Sequence, residues 1–233
     1  MDKRVANAEE AIHDVREGAV ILMGGFGLCG IPENLIRALR DKGVRGLTLV
    51  SNNVGTDQHG IGVLLRNGQI GKMIMSYGGE CKAFEELFLG GKLEVEWVPQ
   101  GTLAERIRAA GAGIGGFYTP TGYGTPAAEG KETREIDGKP YVLEKPLHAD
   151  FAFIKAHKGD AHGNLVYRRT ARNFNQVMSM AAKTVIAEVE QLVEAGGLHP
   201  DHVHTPGPFV QRLFQGADYK KPIEKRMVRQ RES

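Results

Sequence analysis

The sequence predicts an α/β fold: a mostly parallel sheet flanked by helices on both faces. Three observations predict it. Short apolar runs alternate with amphipathic stretches through the first 110 or so residues, with brief links between them, which is the pattern of repeated βα units. Runs such as 19–23 and 151–156 are apolar throughout or nearly so, as strands buried on both faces are. A Gly- and Pro-rich stretch at 111–130 and a turn signature at Asp137-Gly138 add a long loop and a β-hairpin insertion.

The elements follow in order. Asn7 and Glu10 have capping-box spacing, and Ala11, Ile12 and Val15 give a first helix one apolar face. Residues 19–23 form the opening strand. Four glycines then fall within seven residues, at Gly24, Gly25, Gly27 and Gly30. Pro32 suits the first turn of the next helix, where a missing N–H costs nothing, and Leu35, Ile36 and Leu39 recur at helical spacing. Strands at 47–51 and 72–76 alternate with helices around 61–66 and 83–88. Residues 93–98 alternate polar and apolar, as an edge strand does, and lead through Pro99-Gln100-Gly101-Thr102 into a helix at 103–110. Arg134-Glu135-Ile136 and Tyr141-Val142-Leu143 flank Asp137-Gly138 as a hairpin. A buried strand at 151–156, a polar turn at 159–164, a helix at 175–182 and a strand at 184–189 complete the set. We read 1–218 as one domain and 219–233 as a solvated basic tail.

Composition narrows the function. The 233 residues carry 30 basic and 28 acidic side chains, a net charge of +2, without the basic excess that nucleic acid or a membrane surface asks for. No apolar run approaches the ~20 residues needed to span a bilayer. The two cysteines, Cys29 and Cys81, sit in different motifs, which suits a reducing cytoplasm.

Four predicted strand ends carry suggestive chemistry: the glycine turn, Ser51-Asn52-Asn53, Ser76-Tyr77-Gly78-Gly79 and Pro99-Gln100. In a parallel sheet, ligands bind beyond the carboxyl ends of the strands, so these four share one edge. A glycine turn between a strand and a helix can cradle an anion on its backbone N–H groups. Gly25-Phe26-Gly27-Leu28-Cys29-Gly30 also fits the dinucleotide fingerprint. That fingerprint asks for an acid about 20 residues on, and here the second strand ends in Ser51-Asn52-Asn53. A nicotinamide cofactor is disfavoured accordingly. His199, His202 and His204 have metal-ligand spacing, but their Pro-rich flanks read as a surface turn, and we assign no metal. Cys29 reads as a small buried hydrophobe, and Glu80, Glu85, Glu86 and Glu105 are acid–base candidates by position only. The edge is rich in donors and has no evident nucleophile.

The segments Gly24-Gly25-Phe26-Gly27-Leu28-Cys29-Gly30-Ile31-Pro32-Glu33-Asn34, Ser51-Asn52-Asn53, Pro99-Gln100-Gly101-Thr102-Leu103-Ala104-Glu105, Thr119-Pro120-Thr121-Gly122-Tyr123-Gly124-Thr125 and Thr205-Pro206-Gly207-Pro208-Phe209-Val210-Gln211 resemble, in this order, the family I CoA-transferases. The resemblance covers nearly the whole chain. It implies one of two homologous α/β subunits that together make one site, as a heterodimer or α2β2 heterotetramer. It implies ping-pong transfer of CoA with no tightly bound cofactor, CoA itself being the acyl-carrier substrate. The family's attacking glutamate lies in a Ser-Glu-Asn-Gly motif, which this sequence lacks, so the resemblance places the nucleophile on the partner and no catalytic residue here. It implies CoA binding at Gly24, Gly25, Phe26, Gly27, Leu28, Cys29 and Gly30, and an acyl site lined by Gln100, Asn52 and Asn53. Transfer from succinyl-CoA to acetoacetate is the expected reaction, with 3-oxoadipate or a short fatty acid as alternative acceptors. The 3-oxoadipate enzymes usually carry Ala at the position of Cys29. Because the turn has no Lys or Arg beside it in sequence, the partner is expected to supply much of the charge for the CoA phosphates.

Overall fold

The computed structural model describes residues 1–223. The first half alternates as α1 (Ala8–Ala11), β1 (Val20–Met23), α2 (Glu33–Lys42), β2 (Leu47–Val50), α3 (Gly62–Arg66), β3 (Ile70–Met75), α4 (Lys82–Leu89), β4 (Glu94–Trp97) and α5 (Gln100–Gly111). The second half holds β5 (Phe117–Thr119), β6 (Thr133–Ile136), β7 (Lys139–Glu144), β8 (Ala149–Asp160), β9 (Leu165–Val166), α6 (Asn173–Met178), β10 (Ala182–Val193) and β11 (Arg212–Gln215).

Eight strands form one sheet in the order β11-β10-β8-β1-β2-β3-β4, with β9 pairing antiparallel to β8. Every other pairing in that sheet is parallel. The chain lays down β1 to β4 outward in one direction, then crosses to place β8 on the other side of β1. The strand order therefore reverses at β1, and the glycine turn that follows it lies at the switch point, where open α/β sheets bind ligands.

Alternate side chains of each strand feed two cores. Ile21, Met23, Leu49, Met73 and Phe153 pack under α1 to α4 with Leu35, Leu39, Leu64 and Phe84. Leu22, Val50, Ile74, Ala152 and Ile154 face α5 and α6, with Leu103, Ile107, Phe174 and Met178. Helices thus cover both faces, as expected. Among the described residues no helix is long and apolar enough to cross a membrane.

The edge assignment of 93–98 holds. β4 ends the sheet, and its outward Glu94 and Glu96 pair with Lys72 and Arg106 at 2.7 and 2.6 Å. The hairpin also forms, with Asp137 and Gly138 at φ 50° and 72°, the left-handed pair a type I′ turn needs. The loop 111–130 contributes β5 to that small antiparallel sheet.

Four expectations are corrected. The helix expected over 175–182 is Asn173–Met178, and Ala182 already pairs with Ala149 in the sheet. The Ser179 hydroxyl donates to the Gln176 carbonyl at 2.6 Å, and strand pairing overrides the helical preference of the alanines that follow. The polar turn at 159–164 starts later, because Gly159 and Asp160 extend β8, and the Asp160 carboxylate accepts from the N–H groups of His162 and Asn164. Gln100 lies in the first turn of α5 rather than in a lead-in. Pro32 is the residue before the first turn of α2 and supplies no side-chain cap. The cap comes instead from Glu188 on β10, whose carboxylate accepts from the N–H groups of Asn34 and Leu35, each at 2.9 Å.

Residues 219–223, the start of the expected tail, dock on the body. The Glu33 carboxylate accepts from the backbone N–H groups of Lys220 and Lys221, and the Lys155 ammonium lies 4.2 Å from the Tyr219 ring centre. The rest of that segment, 224–233, lies outside the described residues.

Candidate active site

The carboxyl ends of β1 to β4 meet around one hollow. Phe26 and Gly27 from the first strand end, Asn52 and Asn53 from the second, Ser76 and Tyr77 from the third and Gln100 from the fourth line a cavity of about 570 Å³. Glu80 completes the wall, with its backbone in the left-handed region at φ 71°. The four strand ends expected to share an edge do so.

The glycine turn is built tightly. Phe26 and Cys29 exchange two backbone hydrogen bonds of 3.0 Å, which closes a small hairpin and turns Phe26 outward. Asn52 Oδ1 accepts from the Gly27 N–H at 3.2 Å, so the second strand end braces the first. That leaves the Nδ2 group of Asn52, a residue in the wall of the hollow, with no hydrogen-bond partner among the described residues. Asn53 spends its side-chain oxygen on the Gly55 N–H in a local turn. Gln100 makes no side-chain hydrogen bond within the described residues and is exposed. The hollow is therefore lined by three side-chain amides, Asn52, Asn53 and Gln100, whose NH2 groups make no hydrogen bond among the described residues; amide donors can meet a developing negative charge. The Ser76 hydroxyl is buried beside them without a hydrogen-bond partner among the described residues.

A second hollow of about 560 Å³ adjoins the first and shares Phe26 and Gln100 with it. Glu105, an acid–base candidate by position, lines this one but is held by Arg108 at 2.8 Å. Glu85 and Glu86 are not among the residues lining either hollow.

Behind the turn, Asn175 of α6 is fully buried and acts as a stitch. Its Nδ2 donates to the carbonyls of Gly30 and Ala171, both at 2.9 Å, and its Oδ1 accepts from the Lys155 N–H of β8 at 2.9 Å. A Cβ on Gly24 would lie 2.0 Å from that Oδ1. Gly24 is therefore required by contact, whereas Gly30 is required by conformation as well, at φ 77° with Ala171 packed against it. Sequence reasoning misses Asn175. The Arg172-Asn173-Phe174-Asn175 run reads locally as no more than the approach to a helix, and nothing in it shows that its amides reach a turn 145 residues earlier.

Charge reaches the turn from elsewhere in the chain. Lys155, Arg168, Arg169 and Lys221 line a cavity against the Leu28 to Ile31 limb, although none is near it in sequence. The chain itself thus brings cations to the turn. Cys29 lies half-buried in this wall, with its Sγ 3.3 Å from the Thr170 hydroxyl, and no histidine hydrogen-bonds to that Sγ among the described residues.

The three histidines do not converge. The His199 and His202 rings lie 4.7 Å apart. His204 is turned away: its Nδ1 accepts from the Tyr167 N–H at 2.9 Å and its Nε2 meets Arg172. Burial and the Arg172 charge push the His204 imidazole below its ordinary range.

Comparison with known proteins identifies the family. Residues 5–216 match the family described as Coenzyme A transferase. The chain is 58% identical over 230 residues to one of the subunits of the probable succinyl-CoA:3-ketoacid coenzyme A transferase of Bacillus subtilis (strain 168), covering 99% of this chain and 97% of that one. It is 54% identical over 215 residues to one of the subunits of the 3-oxoadipate CoA-transferase of Pseudomonas putida, covering 91% and 93%. In three dimensions it resembles the acyl-CoA transferase apoenzyme from Escherichia coli O157:H7, with a TM-score of 0.82 and 26% identity over 92% of this chain and 47% of that one. A glycine turn at the switch point, amide donors on the neighbouring strand ends and a match spanning nearly the whole chain place this protein in the coenzyme A transferase family.

Proposed function

We propose that this chain is the non-nucleophilic half of a two-subunit enzyme that moves CoA from succinyl-CoA to a 3-oxoacid such as acetoacetate. The observation that carries the reading is the hollow at the ends of β1 to β4. It presents amide donors from Asn52, Asn53 and Gln100 beside the glycine turn. A homologous second subunit supplies the attacking glutamate. That carboxylate attacks the thioester to give an acyl-glutamyl anhydride and CoA thiolate. The thiolate returns to form a glutamyl thioester as the first acid leaves, and the acceptor acid takes CoA by the reverse steps. Covalent catalysis of this kind divides one hard exchange into easier ones. Asn52 and Gln100 stabilise the oxyanion at each addition, and the 24–30 turn holds CoA.

Two comparisons support the division of labour. The relative from Bacillus subtilis is named as one subunit of its enzyme rather than the whole, and the solved acyl-CoA transferase is about twice the length of this chain, enough for two such halves. The two cysteines are free, which fits the reducing cytoplasm. The match to part of a 3-oxoadipate transferase keeps that acid as the second candidate acceptor.

The test is succinyl-CoA to acetoacetate exchange with this chain alone and with its homologous partner. Activity only in the complex supports the reading. Activity in the pure chain overturns the assignment of the nucleophile, and Glu80, the carboxylate that lines the hollow, becomes the first residue to replace. Exchange with 3-oxoadipate but not acetoacetate changes the acceptor.

A further inference from the structure

The cavity on the other limb of the glycine turn shares none of its lining with the hollow of Asn52 and Gln100. It measures about 320 Å³ and is walled by the turn, by β8 at Lys155 and by the loop carrying Arg168 and Arg169. Its acids are already engaged. Glu33 accepts from the N–H groups of Lys220 and Lys221. Glu190 faces Lys155 at 3.3 Å, His157 at 3.3 Å and Lys221 at 2.9 Å. Burial raises the Glu190 carboxyl, and the two ammonium groups outweigh it, so the net direction is downward. Arg168 and Arg169 differ from the lysines. Neither has an ion pair or a side-chain hydrogen bond among the described residues, and both are exposed.

Their loop is held with care. Arg169 sits at φ 53°, a strained conformation for a long side chain, of the kind that persists where surrounding contacts impose it. Asn173 Nδ2 donates to the carbonyls of Cys29 and Thr170 at 3.0 and 2.7 Å. Asn175 joins Gly30 to Ala171 in the same way. A Cβ on Gly30 would lie 3.0 Å from Ala171. The backbone that carries two unpaired arginines is thus held beside the turn. Planar forks of this kind match phosphate oxygens in pairs.

We propose that this cavity is a phosphate subsite in which Arg168 and Arg169 hold a phosphate group of coenzyme A while its thiol end occupies the hollow of Asn52 and Gln100. The inference rests on the CoA-transferase reading. It adds the residues that distinguish the nucleotide of CoA from the bare pantetheine arm.

The experiment compares the assembled enzyme with its Arg168→Gln/Arg169→Gln variant, using succinyl-CoA, its 3′-dephospho form and succinyl-pantetheine. The expected result is a fall in the ratio of kcat/KM for succinyl-CoA over succinyl-pantetheine of about tenfold or more, the loss of a charge-assisted contact. If the dephospho form loses as much, the arginines hold the diphosphate; if it loses little, they hold the 3′-phosphate. Either supports the subsite. Equal losses on both thioesters, or none on succinyl-CoA, overturn it. Calorimetric titration of the full chain with CoA and with pantetheine decides the matter apart from turnover. Weaker CoA binding by the variant supports the proposal even if transfer fails in the wild-type complex, and equal CoA binding by both proteins overturns it. Matching melting curves confirm that the exposed arginines were not needed for folding.

Discussion

The carboxylate of Glu188, fully buried in β10, accepts the backbone N–H of Leu35 at 2.9 Å and so caps α2 from across the sheet. A helix whose own N-cap is Pro32 has no side chain there to satisfy its first N–H groups. The fold supplies one from a strand 153 residues away. Because α2 begins where the glycine turn ends, this contact also fixes the exit of the turn.

The burial of this carboxyl makes stability depend on pH. Burial raises the Glu188 carboxyl to about 7, against the lowering effect of the Leu35 and Asn34 N–H groups and of Lys155. Between the ordinary 4.5 and about 7 the folded protein holds a proton that the unfolded chain has released. The contribution of this group to stability is then full at low pH and declines as pH rises through that window, by on the order of 3 kcal/mol. Both N–H groups donate to one Glu188 oxygen, so Glu188→Gln keeps that acceptor and has nothing to titrate. Urea denaturation across the window is expected to show a flatter profile for the variant than for the wild type. Parallel profiles would remove Glu188 as the source.

Asn175 is the second long-range stitch. Asn175→Ala leaves the Gly30 and Ala171 carbonyls and the Lys155 N–H without their partner inside the protein. Unsatisfied buried groups of this kind cost roughly 1–3 kcal/mol each before relaxation, so a net loss of about 3 kcal/mol in chemical denaturation is expected. A loss below about 1 kcal/mol would show that the turn closes without it.

Gly24 and Asn175 are expected to couple. Gly24→Ala places a methyl group 2.0 Å from Asn175 Oδ1, a contact that must push the amide away from Lys155 and Gly30. In the Asn175→Ala background the obstructing oxygen is gone. The same methyl should then cost about 1 kcal/mol or more less than in the wild type, as residues in contact do. Additive costs in the double-mutant cycle would mean that the backbone, not the amide, is what excludes a side chain at Gly24.

These two stitches mark where the sequence stops being legible. The βα alternation, the edge strand with Glu94 and Glu96, the hairpin at Asp137-Gly138 and the gathering of Asn52, Asn53 and Gln100 on one edge all follow from local pattern plus the rule for parallel sheets. The switch at β1 does not, because strand order depends on a crossover that no local pattern records. β11 is missed because Arg212 to Gln215 is four residues with polar ends. Asn175, Glu188, Arg168 and Arg169 are invisible for one reason. A polar residue in a helix start, a strand or a loop reads as solvent-facing unless its distant partner is known.

Gln100 offers the most direct test of the site. Its side chain is exposed, makes no hydrogen bond within the described residues and lines both hollows. Its place in the first turn of α5 does not depend on the amide, since Pro99 precedes it and the helix core is Leu103 and Ile107. Gln100→Ala should therefore leave the melting temperature of the chain close to wild type. If the amide meets charge that develops during thioester attack, its loss acts on the transition state more than on the bound substrate. Removal of one such donor lowers kcat by about 10²–10³, and KM for succinyl-CoA should move far less. A mainly raised KM with kcat preserved would make Gln100 a ground-state binding residue and leave the Asn52 and Asn53 amides as the donors for the oxyanion.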